Sequence, residues 1–115
     1  MLQLKPPATP GFDAVDSKGK KYQIKGLFNS KNLWSGFTSK DNLRTFDFLM
    51  CVIFDESGGV LRAHVIPQKV AEDAVVFRAQ KKWWLYYKDE LWQRKGVRDV
   101  TKLMRETRIS SAMPS

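Results

Sequence analysis

A chain of 115 residues with 20 Lys and Arg against 12 Asp and Glu carries a formal net charge of +8 and has a pI near 9.8. The length suits one domain burying roughly two-thirds of its unfolded surface, and the cationic excess favours a polyanionic partner, of which nucleic acid is the usual one. The single cysteine, Cys51, excludes an intrachain disulfide and a cysteine zinc site. Cys51 sits in an apolar run and reads as a structural thiol. No apolar run reaches the length of a membrane span and no signal-peptide pattern opens the chain, so a cytoplasmic protein is expected.

In chain order, residues 1–10 read as a flexible N-terminal arm, because three prolines there oppose a helix and no carboxylate occurs. The domain is expected over 11–108. It opens on a hairpin whose loop is Ser17-Lys18-Gly19, with Gly in the left-handed position that a three-residue loop commonly requires. Pairing Asp16 with Lys20 sets Asp13 opposite Gln23, and directly opposed residues share a face. Lys25 follows two residues on and joins them, while Ala14, Tyr22 and Ile24 point toward the core. A one-residue slip would separate Asp13 from Gln23, so the constellation depends on the loop length.

A carboxylate, an amide oxygen and an ammonium on one face suit metal-assisted attack on phosphate. Mg²⁺ (or Mn²⁺) takes oxygen ligands and keeps several waters, which Asp13, the side chain of Gln23 and the backbone carbonyl of Ile24 can satisfy. Lys25 is placed to orient water or neutralise developing charge.

The run Asp13, then Gln23-Ile24-Lys25, resembles the PD-(D/E)XK nuclease superfamily, in a version with Gln at the usual acidic position. The wider pattern, Gly-Phe-Asp-Ala at 11–14, Tyr-Gln-Ile-Lys-Gly at 22–26 and Phe-Asp-Phe-Leu at 46–49, is similar to small members of that group, and the likeness extends over most of 11–105. The resemblance implies a restriction-endonuclease-like fold and hydrolysis of DNA phosphodiester bonds, with Asp13, Gln23 and Lys25 as the catalytic set. Two departures stand out: Gln23 is a neutral ligand, and the usual helix before the first catalytic strand, often with a further acid, has no counterpart ahead of Asp13. A homodimer or a partner protein completing the site is one consequence; a fold kept without turnover is another.

Leu27 to Thr45 is polar and reads as a long loop, of a length that is often functional. Lys31, Trp34, Phe37, Lys40 and Arg44 make it a candidate nucleic-acid contact through stacking and phosphate pairing; the alternative is that Trp34 and Phe37 pin the loop to the core. Phe46 to Phe54 is an apolar strand suited to the sheet centre, and Val60 to Ile66 returns antiparallel after the turn at 55–59. Asp47 reads chiefly as a strand-start carboxylate satisfying a backbone amide. His64 lies among apolar neighbours and reads as packed rather than catalytic.

Pro67 at a first helical position introduces a helix over Gln68 to Ala79, with Val70, Ala74 and Phe77 as its stripe. Lys81 to Lys88 reads as an aromatic strand in which Trp83, Leu85 and Tyr87 face one way and Trp84 and Tyr86 the other. The basic residues beside rings suit a nucleic-acid single strand, but at least one set of rings belongs to the core, and Lys81 and Lys82 are retained as phosphate contacts. A second helix is expected from about Asp99 to Arg108, with Asp99 as N-cap and Val100, Leu103 and Met104 as its apolar side. The tail 109–115 reads as frayed.

These elements predict an α/β fold with a mixed central sheet of about five strands flanked by helices, lacking the usual N-terminal helix of a restriction-endonuclease-like core. The expected activity is Mg²⁺-dependent DNA hydrolysis. The alternatives are a catalytically inactive nucleic-acid-binding module on the same fold, or a small regulatory subunit binding an acidic protein.

Overall fold

The computed structural model describes residues 3–4, 13–29 and 33–106. Lys31, the tail at 109–115 and, Gln3–Leu4 apart, the arm at 1–10 lie outside them. The expected hairpin forms: β2 (Ala14–Val15) pairs antiparallel with β3 (Lys21–Phe28), Ala14 opposite Tyr22 and Val15 opposite Lys21, and β1 (Gln3–Leu4) adds to the other edge of β2. Gly19 adopts φ +80°. The Asp16 carboxylate Oδ1 accepts the amides of Lys18 and Lys20 at 2.9 and 3.0 Å, so the turn satisfies its own donors and the register is fixed locally.

The hairpin joins a mixed sheet in the order β1-β2-β3-β5-β6-β9. β3 runs parallel to β5 (Phe48–Phe54), and β5 runs antiparallel to β6 (Val60–Pro67), which carries the short β9 (Arg98–Asp99). The apolar run 46–54 is therefore central, as its composition predicts; Leu49, Met50, Cys51, Val52 and Ile53 are all buried. Burial pushes the Cys51 thiol up to about 12, which keeps it protonated and unreactive.

Each face of this sheet has its own core. Ala14, Tyr22, Met50, Val52, Ala63 and Val65 pack on one side, covered by Val100 and Met104 of the α3 region (Thr101–Glu106). Leu49, Cys51, Ile53 and Ile66 pack on the other, against Leu43, Leu85 and Leu91. The helix begins two residues later than expected, and Asp99, at the end of β9, accepts the amide of its first residue, Thr101, through Oδ1 at 2.9 Å. Leu103 is 53 % exposed and does not join the apolar side assigned to it.

Two stretches depart from expectation. The predicted loop over 27–45 holds the end of β3, a strand β4 (Trp34–Phe37) and a 3₁₀ turn at Lys40–Arg44. Helix α1 covers Gln68–Ala74 only; the chain then turns extended at Val75 and forms β7 (Val76–Arg78). The spacing of Val70, Ala74 and Phe77 mimics a helical stripe, but the β-branched pair Val75-Val76 favours strand and Phe77 pairs with Trp83. β4 and β7 flank β8 (Lys82–Tyr86) in a second, three-stranded antiparallel sheet, which closes over the second core. A short helix α2 (Asp89–Trp92) follows.

His64 is buried at 4 % exposure, its ring stacked on Trp92 with centroids 4.1 Å apart. Nε2 lies 3.9 Å from Asp99 Oδ2, and Nδ1 has no hydrogen-bond partner among the described residues. Burial lowers its pKa, aided by Arg62 and opposed by Asp99. The unfolded chain thus binds a proton that the folded one resists. His64 therefore leaves stability intact above its unfolded pKa of about 6.5 and erodes it as pH falls below that value. In urea melts, the parent should lose stability between about pH 7.5 and 5, and His64→Phe, which keeps the stacked ring without titrating, should lose less; an equal loss would contradict this assignment.

Candidate functional site

The paired register of the hairpin ends at Ala14 opposite Tyr22, and Asp13 stands at a bend just beyond it, bonded to Tyr22 and Ile24 of β3 rather than paired with Gln23 as the loop length predicts. The Asp13 amide donates to the Tyr22 carbonyl at 2.8 Å, and its carboxylate Oδ2 accepts the Ile24 amide at 2.8 Å. One carboxylate oxygen is therefore fixed at the edge of β3, while Oδ1 takes no part in that bond. Within a strand the N–H and C=O of one residue point to the same edge, so the Ile24 carbonyl is directed to the side on which Asp13 sits. Two residue types with oxygen donors thus meet at one point of β3 for a local reason: the strand partner of Ile24 has given way to a side chain.

Gln23 and Lys25 share the opposite face from Tyr22 and Ile24. Tyr22 is buried in the first core with Ala14, as expected, and Ile24 packs against it. Gln23 lies beside Leu49 and Lys25 beside Cys51 in the parallel ladder. Lys25 extends toward β4, with Nζ 5.7 Å from the centre of the Phe37 ring, a cation held over an aromatic face. Asp13, Gln23 and Lys25 are all half-buried, neither sealed in the core nor free in solvent.

The donors are hard oxygens, one carboxylate with two neutral groups, a set that fits a cation keeping several of its waters. Among the described residues no group of three or more His, Cys, Asp or Glu side chains is placed to hold a metal. Asp47 is not a further ligand in this arrangement: its Oδ2 accepts the Lys21 amide at 2.8 Å, and its own amide donates to the Lys21 carbonyl. It splices the start of β5 to β3, the structural role its position suggests.

The residues expected to contact nucleic acid separate. Lys31 lies outside the described residues. Phe37 is 8 % exposed and belongs to the core beneath Lys25, which removes it from any stacking role. Arg44 is held by two carboxylates: its Nε donates to Glu72 Oε1 at 2.7 Å and its Nη1 reaches Asp41 at 3.2 Å, which ties the 3₁₀ turn to α1. Hydrogen bonding from Arg44, with Gln68, lowers the Glu72 carboxyl to about 2. Lys40 places Nζ 4.7 Å above the Trp83 ring, Lys81 is exposed at the β7–β8 turn, and Lys82 lies over Trp84. Trp34 is 41 % exposed.

Trp84, Tyr86 and Lys88, which sequence reasoning set in a basic-aromatic cluster but did not retain as contacts, share the surface of Trp34: Tyr86 pairs with Trp34 across the strands and Lys88 lies over the Tyr86 ring. Their signal was present in the alternation of residues 83–87; what it lacked was β4, the strand that shows which set faces out.

No protein-family model matches this chain, and no curated protein matches it significantly.

Proposed function

We propose that this protein is a Mg²⁺-dependent nuclease of the PD-(D/E)XK kind that hydrolyses DNA phosphodiester bonds in the cytoplasm, with Asp13, Gln23 and Lys25 as its reacting face. The observation that carries the reading is the Asp13 carboxylate anchored on the Ile24 amide, on the strand edge that bears the Ile24 carbonyl. Asp13, Gln23 and the Ile24 carbonyl would hold the cation, which when bound polarises a phosphoryl oxygen and acidifies water.

The chain's own contribution is positional. Asp13 supplies the anionic anchor, kept rigid by its bond to β3. Lys25, its stem half-buried and its ammonium resting over Phe37, orients the attacking water and balances negative charge as the oxygen of water bonds phosphorus and the ester P–O bond breaks. The net charge of +8 draws the polyanion to the site.

A second reading, a nucleic-acid-binding module without turnover, is favoured by one observation: a single carboxylate stands at the face, with no acidic cluster among the described residues. A second copy or a partner protein lending a carboxylate would reconcile the two. Supercoiled plasmid incubated with Mg²⁺ separates them. The parent should nick it, and Lys25→Ala should nick roughly 100-fold more slowly while retaining equal DNA binding in EDTA. Equal cleavage by both removes Lys25 from the site, and DNA binding without cleavage by the parent establishes the second reading.

A further inference from the structure

In the three-stranded sheet, Trp34 faces Tyr86 and Gly36 faces Trp84 across β4 and β8, while Val76 faces Trp84 and Arg78 faces Lys82 across β7 and β8. Opposed residues share a face, so Trp34, Trp84, Tyr86, Lys82 and Arg78 stand together. The alternate residues Phe37 and Leu85, at 8 % and 1 % exposure, point inward to the core. The aromatic face is therefore the outward one.

We propose that this outward face binds single-stranded nucleic acid, stacking bases on Trp34, Trp84 and Tyr86 while Arg78, Lys82 and Lys88 meet the phosphates. The rings form a connected row. Trp34 and Tyr86 meet edge to face with centroids 6.0 Å apart, and Trp84 lies two residues from Tyr86, about 6.8 Å along the strand. That interval is about twice the 3.4 Å rise of stacked bases. Gly36 makes the row possible: a Cβ there would sit 3.0 Å from Cζ3 of Trp84, so the indole packs closely against the backbone of β4.

The cations are set around these rings rather than scattered. Lys82 Nζ lies 5.9 Å from the Trp84 centroid and Lys88 Nζ 5.9 Å from that of Tyr86. Beside Tyr86 a groove of about 330 Å³ is lined by Arg78, Lys88 and Arg94 with one carboxylate, Glu90, which pairs with Lys88 at 3.8 Å. Interleaved rings and cations match an unpaired strand, which offers both base faces and a phosphate chain. A duplex hides its base faces, and an apolar protein partner would leave the cations unmet.

This surface shares no residue with the Asp13 hairpin, so plasmid nicking can fail without touching it. The test is the anisotropy of a fluorescein-labelled oligo-dT in EDTA, where no hydrolysis intervenes. The variant Trp34→Ala/Tyr86→Ala should bind about 100-fold more weakly, as expected for two lost stacking contacts. Lys82→Gln/Lys88→Gln should flatten the slope of log affinity against log salt by about 1.4. The matching duplex should bind the parent at least tenfold more weakly than the single strand. Parental affinity in a folded Trp34→Ala/Tyr86→Ala variant, or equal affinity for duplex, would overturn the proposal. If the aromatic variant does not fold, an unchanged salt slope in the lysine variant does so instead.

Discussion

Asp13→Asn should abolish nicking and leave the fold standing, whereas Asp13→Ala should damage both. The carboxylate has two separable tasks. Its Oδ2 accepts the Ile24 amide at 2.8 Å where β2 no longer supplies a backbone acceptor, and its charge is the anionic component of the proposed cation site. Asparagine retains an oxygen that can take the Ile24 hydrogen bond but carries no charge. Alanine removes both, leaving a half-buried amide unpaired at a cost of about 1–3 kcal/mol. Nicking should fall at least about 100-fold in either variant, while urea melts should place the Asn variant within about 1 kcal/mol of the parent and the Ala variant below it. Parental nicking by the Asn variant would take Asp13 out of the chemistry, and equal stability of the two would show that the Ile24 contact is dispensable.

Leu49→Ala should be among the most destabilising substitutions in the molecule. Leu49 is fully buried near the start of β5, the central strand, in the core shared by the large sheet and the three-stranded sheet. Truncation removes three carbons from a site walled by strands on both sides, which cannot collapse to fill the space. The expected loss is about 2–5 kcal/mol, a large part of the roughly 5–15 kcal/mol that holds such a domain together. Thermal unfolding should move down by about 8–20 °C, taking about 4 °C per kcal/mol at this length. Leu49 also lies beside Gln23 in the parallel ladder, so residual nicking should fall more steeply than the folded fraction. A melting point within about 2 °C of the parent would contradict the placement of β5 at the core.

Where a local rule dictates structure, the sequence was legible. The three-residue loop with Gly19 fixed the hairpin register as far as Ala14 opposite Tyr22 through contacts within a few residues. The unbroken apolar run around Cys51 announced a strand buried on both faces. What was hidden depended on distant partners. β4 looks like loop because Ser35 and Gly36 interrupt it, yet Gly36 is there to admit the Trp84 ring from a strand nearly fifty residues away. Phe77 continues a helical spacing but is drawn into β7 by pairing with β8. The role of Phe37 was obscured in the same way, since an aromatic beside cations reads alike whether it faces a base or the core, and nothing local tells that Arg44 meets Glu72 on a helix 28 residues on.

The central claim is that Asp13, Gln23 and the Ile24 carbonyl form one oxygen-lined cation site on the hairpin. Its most direct test is a titration of Mn²⁺ into the protein followed by electron paramagnetic resonance, comparing the parent with Asp13→Asn. One Mn²⁺ per chain, competed by Mg²⁺ and weakened at least about tenfold by the substitution, a difference of about 1.4 kcal/mol, is the predicted result. Mn²⁺ binding that is the same in both proteins would contradict it.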